Sequence, residues 1–131
     1  MPHDHSGIAS EDGVIRRVSE KQVAADSTGQ LRVSSKAFKP STGPNGGMSV
    51  DLEKLVIEAN QDPRAYVTTP RWTGSVRFLA GALREEGFMV GFDPRPENPY
   101  HGEVWGRFTM AQRRRLRELA VWFVAIPGVK L

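Results

Sequence analysis

The spacing of apolar positions changes several times along this chain, and each change predicts an element. Residues 14–19 suit a short strand or a helical turn. Residues 22–25 and 31–35 flank Asp26-Ser27-Thr28-Gly29, whose Asp, Ser and Gly favour turn geometry, so a β-hairpin is predicted. Leu52, Leu55, Val56 and Ala59 recur at helical spacing. They predict a helix that starts near Ser49 or Asp51 and ends at Asn60 and the Asp62-Pro63 pair. Residues 65–69 contain Tyr, Val and Thr, which suit a pleated surface, and read as a strand stopped by Pro70. Val76, Leu79, Ala80 and Leu83 predict a second helix over 74–86, capped by Thr73 and closed by Gly87 in the left-handed region. Residues 88–92 and 102–108 read as strands around a proline-rich loop. Thr109-Met110-Ala111-Gln112 fits a capping box. It opens a last helix with the stripe Leu116, Leu119, Ala120 and Phe123, which runs to Pro127-Gly128.

This order of hairpin, helix, strand, helix, strand, strand and helix predicts an α+β fold. A small mixed or antiparallel sheet should carry about three helices packed on one face. The 131 residues suit one domain. The polar residues 1–13, with His3 and His5 around Asp4, are expected as a flexible N-terminal tail, and 14–131 as a single globular domain. Residues 40–47 hold three Gly and two Pro, so a mobile loop is predicted there; it lacks the Gly-Lys-Ser/Thr ending of a phosphate loop.

Composition narrows the chemistry. With no cysteine, the chain has neither thiolate metal sites nor cysteine nucleophiles, and a cytoplasmic protein is expected. No apolar run approaches the ~20 residues of a membrane span, so no membrane partner is expected. The net charge of +3 is unevenly spread. Residues 1–104 hold 12 Lys/Arg against 14 Asp/Glu, whereas residues 105–131 hold 6 against Glu118 alone. The positive character therefore sits in the last quarter of the chain.

Four features offer candidate chemistry. Three prolines stiffen the loop from Asp93 to His101, which could hold both residues in fixed places, with His101 as a general base or a donor to an anion. Arg32 and Ser34 share one face of the hairpin strand, and a guanidinium there suits a phosphate or carboxylate. Arg113-Arg114-Arg115-Leu116-Arg117, with Arg107 just before, makes a basic helix that suits a phosphate backbone. Trp105 lies between Glu103 and Arg107 and could stack on a base or line a pocket. Each also has a structural reading: a backbone-bonded histidine, a wet strand face, a solvated charged helix, a core tryptophan. No metal signature is visible, and no cofactor is expected.

The segments Arg32-Val33-Ser34-Ser35-Lys36-Ala37-Phe38, Met48-Ser49-Val50 and Asp93-Pro94-Arg95-Pro96-Glu97-Asn98-Pro99-Tyr100-His101-Gly102-Glu103-Val104-Trp105-Gly106 resemble a pattern that recurs in small uncharacterised bacterial proteins. The resemblance covers roughly residues 14–127. It implies a bacterial origin and marks Ser35, Ser49 and His101 as a candidate shared site.

Two functions are compatible with these readings. One is a binding or accessory subunit, part of a larger complex, that engages an acidic protein or a nucleic acid through Arg107, Arg113, Arg114 and Arg117. The other is a small enzyme or nucleotide-binding protein, ADP-ribosyl-transfer or hydrolase-like, that gathers Arg32, Ser35, Ser49, Asp93 and His101 in one cleft.

Overall fold

The computed structural model describes residues 2–41 and 46–131. Six strands form one antiparallel sheet: β1 (Gly13–Val18), β4 (Met48–Leu52), β5 (Gly74–Leu79), β6 (Met89–Phe92), β7 (His101–Trp105) and β8 (Val121–Val124). Their order across the sheet is β6-β7-β4-β1-β5-β8. The hairpin β2 (Val23–Ala25) and β3 (Leu31–Val33) stands apart as a second small sheet. Four helices complete the α+β fold: α1 (Glu53–Glu58), α2 (Pro63–Val67), α3 (Ala80–Glu85) and α4 (Met110–Leu119).

Side-chain alternation gives the large sheet two different faces. Val14 and Val18 of β1, Met48, Val50 and Leu52 of β4, Val76 and Phe78 of β5, and Val90 and Val104 point into the main core. Phe38, Leu83 of α3 and Leu116 of α4 close that core. The residues between them, among them Ile15, Arg17, Ser49, Asp51, His101 and Glu103, occupy the other face. There Ile15 packs with Val67 of α2 and with Phe123, so α2 lies on the face opposite the main core.

Four elements differ from the sequence reading. The helix expected over 74–86 is the strand β5 followed by α3. Val76 and Phe78 are buried with a period of two while Leu79 of the expected helical stripe is exposed, and β5 is paired on both sides, by β1 and β8. The strand expected at 65–69 is α2: Asp62 accepts the Arg64 amide at 3.1 Å and Pro63 takes the first helical position, so the Asp-Pro pair starts a helix rather than ending one. The helix expected from Ser49 or Asp51 begins at Glu53, because Met48–Leu52 pairs with β7. Its end at Asn60 is as expected, with a left-handed φ of 57°.

The last helix opens as predicted, with Thr109 Oγ1 accepting the Gln112 amide at 3.2 Å. It stops at Leu119, however, and Val121–Val124 joins the sheet beside β5, which takes Phe123 off the helix. The predicted hairpin is present, and its Asp26 carboxylate accepts from the Thr28 amide and hydroxyl and from the Gln30 amide. Of the loop expected at 40–47, residues 42–45 lie outside the described residues. The segment expected as a free tail lies along β6: the His5 amide donates to Val90 O at 2.9 Å, Asp4 accepts the Val90 amide at 3.0 Å, and Ile8 is buried in the core.

Candidate functional site

The face of the sheet opposite the main core carries buried polar groups, and buried charge is costly unless partnered. Asp51, His101 and Glu103 are only 3%, 7% and 0% exposed. The proline-rich loop that leads into β7 folds over them and supplies their partners. Asn98 donates to Asp51 at 2.7 Å and accepts from the Tyr66 hydroxyl at 2.8 Å. Arg95 reaches Asp93 and Glu103, each at 3.1 Å.

The site exists because two strands separate. β1 pairs with β5 along six residues but with β4 at only two, Val14 opposite Leu52 and Ile15 opposite Asp51. Beyond Ile15 the space between β1 and β4 is crossed by arginine side chains instead of backbone hydrogen bonds. Arg16 donates through one terminal nitrogen to Ser49 O at 2.8 Å and through Nε to Ala37 O at 3.0 Å. Arg17 grips Asp51 in a bidentate pair of 2.8 and 3.1 Å.

A cleft of about 790 Å³ opens over this gap, lined by Arg16, Arg17, Tyr66, Asn98 and His101 among others. Lys39, Ser41 and Ser49 line it as well. The two arginines differ in their partners. Arg17 has a carboxylate. All three acceptors of Arg16 are uncharged: two backbone carbonyls and the Ser41 hydroxyl at 3.4 Å. Burial draws the Arg16 guanidinium down to about 10, with the nearby Asp51 charge opposing that shift only in part. Arg16 therefore remains a cation at neutral pH, enclosed and without an ion pair among the described residues. Burial also pushes the Tyr66 phenol up, and Asp51 adds to that.

His101 is held from one side. Its Nδ1 lies 2.9 Å from the Asp93 carbonyl oxygen and 3.2 Å from the Asp93 carboxylate. A proton on Nδ1 satisfies both acceptors and leaves Nε2 as the basic nitrogen. Ligand atoms of Asp93, His101 and Glu103 lie within 4.8 Å of one another. The Arg95 guanidinium already supplies positive charge to both carboxylates there, and the other Glu103 oxygen, Oε2, is buried without a hydrogen bond.

Of the residues singled out from sequence, the cleft gathers Ser49 and His101, with Asp93 directly behind His101. Arg32 lies elsewhere, bound to Asp26 at 2.6 Å and to Leu131 O at 2.7 Å. Ser35 also lies elsewhere, half-buried and against Met110. Trp105 is 3% exposed with the His3 ring 5.1 Å away, so it offers no open surface for stacking. Arg107, Arg113, Arg114 and Arg117 lie on or beside α4, outside the cleft.

Sequence reasoning missed Arg16, Arg17, Asp51, Tyr66 and Asn98. The available signal was Arg16-Arg17 inside the apolar run from Val14 to Val18, where two adjacent charges in a strand must put one on each face. Comparison with protein-family models, curated proteins and solved structures found no match.

Proposed function

We propose that the cleft binds a small anionic ligand bearing a phosphate or carboxylate, as a nucleotide-binding or hydrolase-like protein would. Arg16 and Arg17 are the anion contacts, and His101 is the group that accepts a proton. The observation that carries this reading is Arg16: an enclosed guanidinium with only neutral acceptors lines an open cleft. A buried cation whose desolvation Asp51 offsets only in part keeps a cost that an incoming anion reduces. A planar fork also suits phosphate and carboxylate geometry. Lys39 lines the same cleft, as do the carboxylates of Asp51 and Glu97. His101 supports a reaction as well as binding. With Nδ1 held by Asp93, Nε2 is the nitrogen that would take a proton from a water or a ligand hydroxyl.

A bacterial, cytoplasmic setting belongs to the same proposal, and a chain without cysteine suits a reducing compartment. The basic helix α4 lies outside the cleft and does not enter this reading.

Calorimetric titration with pyrophosphate and with ADP tests it. The wild-type protein should bind at least one of them. Arg16→Lys, which keeps the charge and loses the fork, should weaken binding roughly tenfold or more, the scale of one charged hydrogen bond. His101→Gln should bind nearly as well as wild type but turn over no substrate. Binding that is absent from the wild-type protein, or indifferent to Arg16, would overturn the proposal.

A further inference from the structure

Most arginines of this protein have a defined partner. Arg17, Arg32, Arg77, Arg84, Arg95 and Arg115 each meet a carboxylate. Arg107, Arg113, Arg114 and Arg117 meet none among the described residues. The one acid in that part of the chain, Glu118, is engaged by Arg115 at 3.2 Å. Apart from Lys130, the excess positive charge of the last quarter thus sits on four side chains that no carboxylate among the described residues neutralises.

Their arrangement is directional. At about 100° per residue, Arg113, Arg117 and Arg114 fall within a stripe roughly 100° wide. Leu116 and Ala120, which face the main core, lie to one side of that stripe. Arg115 points the other way, toward Glu86 at 2.8 Å. Arg113 and Arg117 are separated by about 6 Å of helix rise, so the stripe presents repeated cations along one line. Arg107 and Arg114 are exposed, and Arg113 and Arg117 are half-buried. The Nε of Arg113 is itself buried and has no hydrogen-bond partner among the described residues.

We propose that this stripe binds the phosphate backbone of a nucleic-acid duplex without reading its sequence. A duplex carries one negative charge per ~1.7 Å of axis, and neutralising it releases condensed counterions. Single-stranded nucleic acid is usually held by exposed aromatic rings as well as charge. Here Trp105 is buried, and Phe108 packs 5.2 Å from Phe88. An acidic protein partner would ordinarily meet an apolar or aromatic anchor at the centre of its interface. Beside these arginines α4 exposes only Met110 among its large apolar residues. Charge without an anchor or a stacking platform fits a duplex backbone.

Fluorescence anisotropy with a labelled duplex of arbitrary sequence, from low to physiological salt, is the test. It is independent of the cleft, because pyrophosphate titration reports on that site separately. The wild-type protein should bind with a log–log salt slope of about −3 to −4, as four phosphate contacts require. Affinity should be the same for unrelated sequences. Replacing both exposed residues, Arg107→Glu and Arg114→Glu, leaves the packed face of α4 untouched and should weaken binding at least tenfold with a shallower slope. Replacing all four arginines by lysine should keep the slope. Absent binding at low salt, or binding unchanged in the Glu variant, overturns the proposal. So does equal affinity for polyglutamate, which would make the partner an acidic polypeptide.

Discussion

Arg17 and Asp51, adjacent across β1 and β4, share two hydrogen bonds of 2.8 and 3.1 Å, and the same carboxylate accepts a third from Asn98. This pair ties the central strands to the proline-rich loop at the point where backbone pairing between β1 and β4 stops. Asp51→Ala would leave Arg17 and the Asn98 amide without their acceptor. Losing one member of a fully buried pair costs about 3–5 kcal/mol, and the quarter exposure of Arg17 lowers this to about 2–3 kcal/mol. Urea unfolding should show a lower midpoint with an unchanged slope. A midpoint equal to wild type would mean that the pair is not a structural tie.

The hairpin turn should be sensitive to acid. Asp26 is held well below the usual carboxylate range by the Thr28 hydroxyl, then by Arg32 and the Thr28 and Gln30 amides. A carboxylate that is more acidic in the folded chain than in the unfolded one contributes stability above its ordinary value of 3.8, and loses it as pH falls through the folded value. Wild type should therefore melt higher than Asp26→Asn at pH 6, and the gap should close as the pH falls below ~3. Thermal melts of both proteins across that range check it. Added salt should narrow the gap at pH 6, since the site is at the surface.

Close packing inside the sheet makes a different prediction. A Cβ at Gly102 would stand 2.8 Å from Gly91 O in the neighbouring strand and 2.9 Å from Leu52. The backbone of β6 cannot yield as a side-chain tip can. Gly102→Ala should therefore cost about 1–3 kcal/mol, the range of an overpacked core. It should also displace His101, its immediate neighbour, so anion affinity in the cleft should fall together with stability. Gly87→Ala strains a left-handed position, with φ of 90°, but has open space around it, so it should cost only about 1 kcal/mol and leave the cleft unaffected.

The N-terminal residues offer a further check. Burial pushes the Asp4 carboxyl up, but the Val90 amide and Arg84 outweigh it and hold the group below its usual value. Asp4→Asn should therefore weaken the attachment of this segment to β6 and increase amide exchange at Val90, with β1 and β5 unchanged. Equal exchange in both proteins would show that Asp4 does not anchor the segment.

The α+β class and the hairpin were legible because their signals are local. Asp26 and Gly29 define a turn that needs no distant partner, and Thr109 caps α4 through an amide three residues away. Elements defined by distant neighbours were not legible. Val76, Leu79, Ala80 and Leu83 suit a helix until β1 and β8 are placed on either side of residues 74–79, and Asp62-Pro63 punctuates equally well before or after a helix. The candidate site was half visible for the same reason. Asp93 and His101 belong to one loop and could be paired by eye. Arg16, Asp51 and Asn98 come from three separate segments, and only strand register brings them together.

The short ladder between β1 and β4 also bears on how the protein would respond to a ligand. An anion bridging Arg16 and Arg17 would supply cross-links where the sheet has no rungs, and so fasten its two halves along their weakest seam. Occupancy of the cleft would then register as slower local opening on either side of the gap, chiefly in the second half of β1 and the first half of β4. A site of this kind couples recognition to stiffness: the bound protein would differ from the free one less in shape than in how often its sheet breathes.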